Sequence, residues 1–239
     1  MTSERTVFDR WWPSTQSLDL IEGNTEEVAA AVTAQFREVA RYSGDDIATE
    51  SRSFADLDAA FDSVSFFDNV GSRMLLLPTR SRWVVLWTNS FLCSGFDQFV
   101  RNITLNAGLT TIHWSAHDTT TTFQPGAMFH LRRLDGAELV ERLVQSARTD
   151  RRWDFFERGE PLPEEDVDGY RARRKRDRMN ERRLMELLAR LGARPWDEAW
   201  YALSERPVYR LERPLPPKAQ RREPGDVITG AHGSGGGER

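Results

Sequence analysis

The chain has one cysteine, Cys93, in 239 residues, and two lysines, Lys175 and Lys218. A lone thiol excludes an internal disulfide, a CxxC metal pair and a dithiol redox motif. Long hydrophobic runs are missing too. The longest, 74–77 and 83–87, fall far short of the roughly 20 residues that cross a bilayer, and no apolar stretch follows Met1-Thr2-Ser3-Glu4-Arg5. The expectation is a bacterial-type, cytoplasmic protein with no membrane association. Neither Gly23 nor Gly95 belongs to the repeated glycine spacing of a phosphate loop, and no HExxH-like frame occurs, so no cofactor and no metal are expected.

What the chain does contain is aromatic bulk and unevenly placed charge. Eight Trp and thirteen Phe, with 39% hydrophobic residues overall, suffice for a substantial core and argue against wholesale disorder. Residues 1–70 carry five basic side chains against fourteen acidic ones, whereas 171–194 carry ten against three. The net charge of −4 therefore understates the local potentials that would steer a charged partner.

Hydrophobic periodicity outlines the fold. Alternation over 17–22 reads as a strand, and Asn24 with Glu27 forms a capping-box pattern ahead of Val28, Val32, Phe36 and Val39. A short helix is expected over 54–61, capped by Ser53. Residues 73–77 and 82–88 are β-rich runs joined by a turn, and a helix over 95–106 ends at Ala107-Gly108. Strands are expected over 109–116 and 121–132, with a bulge or break at Pro125-Gly126. Asp135 with Glu138 then reads as the cap of a helix carrying Leu139, Leu143 and Val144. A strand at 152–156 and an extended, proline-bearing stretch at 159–163 precede a long helix over about 164–191. The whole predicts an α+β fold: a mixed, mainly antiparallel sheet with helices packed on one face and a long C-terminal helix. One domain spans 1–206, and the Pro-, Arg- and Gly-rich residues 207–239 read as a disordered tail.

Two constellations could carry chemistry. On a strand over 109–117, Leu109, Thr111, His113, Ser115 and His117 point one way, and Thr110, Ile112, Trp114 and Ala116 the other. An antiparallel neighbour brings His130 to the histidine side. Three imidazoles there could ligate a metal or hold a general base oriented by Asp118, against the plainer reading of a polar sheet face. Cys93, ahead of a helix, could pair with His113 or His117 as a nucleophile, or simply be buried. The second constellation, Arg173, Arg174 and Arg176 within 171–178, suggests phosphate binding. Arg173 with Asp177, Arg178 with Glu181 and Arg182 with Glu186 nevertheless stand three or four apart, so an internally paired helix is expected and nucleic acid is not.

The run Trp153-Asp-Phe-Phe-Glu-Arg-Gly-Glu-Pro-Leu-Pro-Glu-Glu165, followed by Tyr170, Arg174, Asp177-Arg178 and Leu191-Gly192, resembles the C-terminal portion of orphan bacterial α+β proteins of the polymorphic-toxin immunity type. The resemblance covers roughly 152–192. It implies a non-enzymatic protein that binds another protein, and it transfers no functional residue. The resulting expectation is a cytosolic protein-binding module, immunity-like and without a catalytic role, with His113, His117, His130, Arg173, Arg174 and Arg176 as candidate binding residues. The alternatives are an enzyme with its site on the histidine face and a nucleic-acid binder acting through the arginine-rich segment.

Overall fold

The computed structural model describes residues 17–41, 45–64, 67–68, 72–90, 96–117, 125–214 and 221–222, with the backbone alone for Phe67, Phe96, Arg221 and Arg222. Cys93 and Asp118 lie outside the described residues. The strand at Ser17–Glu22 (β1) is central and buried on both faces. It is followed by α1 (Thr25–Arg41), which starts as the capping pattern implies: Asn24 Oδ1 accepts from the Glu27 N–H at 2.9 Å. Next come β2 (Ala48–Arg52) and α2 (Leu57–Asp62). Asp56, not Ser53, caps α2, its carboxylate accepting from the Ala59 N–H at 2.8 Å. Strands β3 (Phe67–Asp68), β4 (Arg73–Pro78) and β5 (Trp83–Thr88) lead to α3 (Phe96–Ala107). Then follow β6 (Thr111–His117), β7 (Gly126–Asp135), β8 (Glu138–Thr149) and β9 (Arg152–Arg158). The remaining elements are α4 (Lys175–Arg178), α5 (Glu181–Arg190), β10 (Val208–Glu212) and β11 (Arg221–Arg222).

Nine strands form one sheet in the order β2-β10-β4-β5-β1-β6-β7-β8-β9, and β3 pairs separately with β11. Every neighbouring pair in the large sheet is antiparallel. The α+β class and the large antiparallel sheet are as the periodicity predicts. Ile112, Trp114, Phe129, Val84 and Leu86 are all buried.

Helices cover both faces, not one. On the first face, α2, α5 and the Trp200-Tyr201 segment contribute to a core with Leu18, Leu20, Leu75, Val85, Ile112, Trp114 and Phe129. On the second, α1 and α3 pack with Ile21, Met74, Leu76, Val84 and Leu86. The reason lies in β4 and β5, where Met74–Leu77 and Trp83–Leu86 are continuous apolar runs. Successive residues of a strand point to opposite sides, so such a run requires cover on each.

Three further expectations are corrected. The helix anticipated after Asp135 is β8: Asp135-Gly136 opens a tight hairpin, with Gly136 at φ +61°, where glycine pays no Cβ penalty. The repeat of Leu139, Leu143 and Val144 is as compatible with a strand as with a helix. The long helix over 164–191 is also absent. In its place stand a 3-10 turn at Val167–Arg171, an extended link, one turn at α4, and α5, which is capped by Asn180. Ser146 of β8 fixes the break, its Oγ donating to the Lys175 carbonyl at 2.8 Å and accepting from the Met179 N–H at 3.2 Å, while Met179 is buried. A continuous helix would also stack Arg171, Arg174, Lys175 and Arg178 at repulsive three- and four-residue spacings. Finally, residues 208–212 lie inside the stretch read as a disordered tail. They form β10, which inserts between β2 and β4 and buries Val208 and Leu211.

The extended stretch after β9 is clamped by Arg142, 2% exposed in its side chain. Its guanidinium bonds Glu165 through both Nε (2.9 Å) and Nη2 (2.7 Å), Glu157 at 2.9 Å and the Gly159 carbonyl at 2.8 Å. Tyr170 donates to Glu165 at 2.8 Å. Burial would lower the arginine's pKa, but its two carboxylates outweigh that and raise it. Arg142→Met should cost about 3–5 kcal/mol in a urea titration, because wholly buried Glu165 loses its charged partner. Combining it with Glu165→Leu should recover most of the loss, and a single variant of unchanged stability would show that the clamp holds nothing.

The hairpin between β8 and β9 turns through Asp150 (φ 48°) and Arg151 (φ 69°). Such a turn favours Asn-Gly or Asp-Gly, and arginine in the second position is strained. Arg151→Gly is expected to raise the unfolding free energy by roughly 0.5–1 kcal/mol, measured by chemical denaturation.

Candidate functional site

The strand register assembles the predicted histidine face. His113 on β6 lies directly opposite Asp19 on β1 and His130 on β7, so one row across the sheet reads Asp19, His113, His130. His117, two side-chain repeats further along the same face, is half-buried, and Ser115 between them is buried. Gly126 opposite His117 permits this register, since a Cβ there would lie 2.2 Å from the Ser146 carbonyl oxygen of β8.

His113 and Asp19 form a buried ion pair, Nδ1 to Oδ1 at 2.7 Å. Burial alone would lower the imidazole pKa. The charge of Asp19 and its hydrogen bond override that and hold it above 6.5, which favours the charged ring. The pair has the geometry of a base with its orienter, while the direction of the shift favours the charged ring over the form that accepts a proton. His117 is shifted the other way, below 6.5, by burial and by the neighbouring positive His113.

His130 is held among ions that sequence reasoning did not find. Arg132 of β7, wholly buried, places Nη2 2.6 Å from His130 Nδ1 and also pairs with Asp97 in the first turn of α3. Its Nε donates to Glu141 of β8 at 3.2 Å, and Arg158 reaches the same carboxylate from β9. A guanidinium only donates, so His130 Nδ1 accepts and the ring proton of that tautomer sits on Nε2, 3.4 Å from Glu141 Oε1. Its acceptor nitrogen is thereby occupied. Arg132 and Glu141 were legible as directly opposed charges only after β8 was known to be a strand. Asp19 and Asp97 had no sequence signal, because each meets its partner across a different element. Among the described residues no group of three or more His, Cys, Asp and Glu side chains is disposed to hold a metal ion.

Arg173, Arg174 and Arg176 do not join this site. They are exposed on the opposite side of the β8–β9 hairpin, in and beside α4. Of the helical pairs expected along 171–190, Arg182–Glu186 forms at 2.7 Å, whereas Arg178 Nε donates instead to the Ala172 carbonyl. A different concavity lies on the outer side of α5. It is an apolar groove of about 420 Å³ floored by Met185, Ala189 and Trp196 and rimmed by Glu181, Arg182 and Glu186. No described helix is long and apolar enough to cross a membrane. Comparison of the chain with protein families, curated proteins and solved structures gives no match.

The two shifted histidines give stability opposite pH dependences. His113, raised when folded, contributes fully below 6.5 and loses its contribution as pH rises through its folded pKa. His117, lowered when folded, contributes above 6.5 and loses it as pH falls through its folded pKa. Thermal melts between about pH 5 and 9 are expected to show a maximum near 6.5. His113→Gln should flatten the alkaline arm and His117→Gln the acidic arm; two unchanged arms would refute the assignment.

Proposed function

We propose that this chain is a protein-binding module of the bacterial cytosol, immunity-like and without a catalytic role. The observation that carries the reading is the groove on α5, where an apolar floor of Met185, Ala189 and Trp196 meets a rim of mixed charge. An apolar centre with a polar margin is how protein interfaces are built, and an aromatic anchor beside a methionine suits an inserted side chain. The polar contacts within the histidine face support the same reading. His113 is committed to Asp19 of the neighbouring strand, and His130 Nδ1 to Arg132 of its own strand, so both imidazoles serve as internal braces of the sheet.

The test is neutralisation. Products of genes adjacent to this one are expressed singly in a bacterial host, and one that arrests growth is expected to be neutralised by this chain and to copurify with it. Met185→Glu with Ala189→Glu, checked for folding by circular dichroism, should weaken that complex at least about tenfold, or 1.4 kcal/mol. Failure of every neighbour to bind would sink the reading; binding untouched by the variant would move the interface off the groove.

A further inference from the structure

We propose that the turn end of the β8–β9 hairpin and the adjoining residues 171–176 form one preorganised basic surface that docks a carboxylate-rich segment of a protein partner. The inference rests on the protein-binding reading and gives the partner its chemistry. Exposed Arg148, Arg151, Arg152, Arg173 and Arg174 have, among the described residues, no side-chain hydrogen bond or ion pair. Lys175, Arg176 and Arg171 stand among them, paired with Asp154 (2.9 Å), Asp177 (3.6 Å) and Asp168 (3.5 Å). The two parts are adjacent because Ser146, two residues from Arg148 on the same face of β8, holds both ends of α4. Arg178 stacks over Phe155 at 5.4 Å, and Phe155 packs on Tyr170 at 5.5 Å, which anchors the segment to β9. Trp153 lies directly opposite Arg148 and adds a half-buried indole to the surface.

A second, independent observation is the backbone of the turn. Arg151 occupies a left-handed position, φ 69°, where glycine would be relaxed. Strained backbone of this kind is enriched at functional sites, and here it carries a guanidinium at the tip of the hairpin. The cations of the surface are all arginine but for Lys175, and the planar arginine fork engages carboxylates bidentately. Asp150, Asp154, Asp168 and Asp177 are interspersed through it. A phosphate backbone, with a charge about every 1.7 Å of duplex, would meet those carboxylates as well as the arginines. A protein segment with spaced acidic side chains avoids them, and the chain's net charge of −4 adds no general attraction for nucleic acid.

Fluorescence anisotropy of the full chain with two labelled probes decides the matter: a Glu-rich peptide of about 20 residues and a DNA duplex of similar length, at about 150 mM salt. The peptide is expected to bind at least about tenfold more tightly than the duplex, and Arg148→Glu with Arg173→Glu and Arg174→Glu to abolish peptide binding. Arg151→Gly should raise the melting temperature and yet weaken peptide binding several-fold, so its loss of affinity is not a loss of fold. Tighter duplex binding, no binding of either probe, or peptide affinity unchanged by both variants would overturn the proposal. Neutralisation that survives the triple charge reversal would remove this surface while leaving the protein-binding reading intact. Peptide binding without any neutralised neighbour would fail that reading instead.

Discussion

Two guanidinium groups withdrawn from water, one on each face of the same sheet, set the conditions that the surrounding structure must meet. Arg132 on β7 and Arg142 on β8 are 0% and 2% exposed. A buried charge is tolerable only when paired and hydrogen-bonded, and removing one partner costs far more than the pair gains. Arg132 therefore fixes α3 through Asp97 and ties β7 to β8 through Glu141, while Arg142 fixes the course of the chain after β9 through Glu157 and Glu165. Because these carboxylates come from separate elements, each ion selects one arrangement of helix, hairpin and crossing segment.

The same electrostatics explain the histidines. A row of Asp, His and His across three strands resembles the beginnings of a catalytic constellation, yet each imidazole is spent on a neighbour. Asp19 favours the charged form of His113, and Arg132 occupies the acceptor nitrogen of His130. The polar face contributes to the sheet's internal bracing, and the surfaces proposed to meet a partner lie elsewhere: the apolar groove on α5 and the arginines around the β8–β9 turn. These two surfaces differ in chemistry. The groove offers contact area for a side chain, whereas the basic surface offers orientation and encounter rate, the contribution that rim charges make to association.

Much of the sheet was legible from residue alternation, because a strand with one polar and one apolar side announces its period. Residues 109–117 placed Ile112 and Trp114 on one side and His113 on the other; the strand keeps that division, but both sides are buried. Residues 138–149 misled because leucine and valine recur there four residues apart, at 139/143 and 140/144, a spacing that fits a helix and also returns to the same side of a strand; the Asp135-Gly136 turn was the deciding signal. The segment 164–191 misled for another reason. Its helical composition is real locally, but Ser146, Met179 and the clash of like charges break it into pieces, and two of those three causes lie in tertiary contacts.

By itself the amino-acid sequence determined the α+β class and most of the strands, since these follow from short-range periodicity and from the cost of burying polar groups. It also determined that a cross-link between cysteines could not contribute, there being one cysteine in 239 residues. Tertiary structure alone decided that the sheet is covered on both faces, that 208–212 completes it, and which carboxylate answers which buried arginine. Those outcomes depend on residues far apart in the chain meeting in a low-dielectric interior, where the partner of a charge is set by distance in space and not along the sequence.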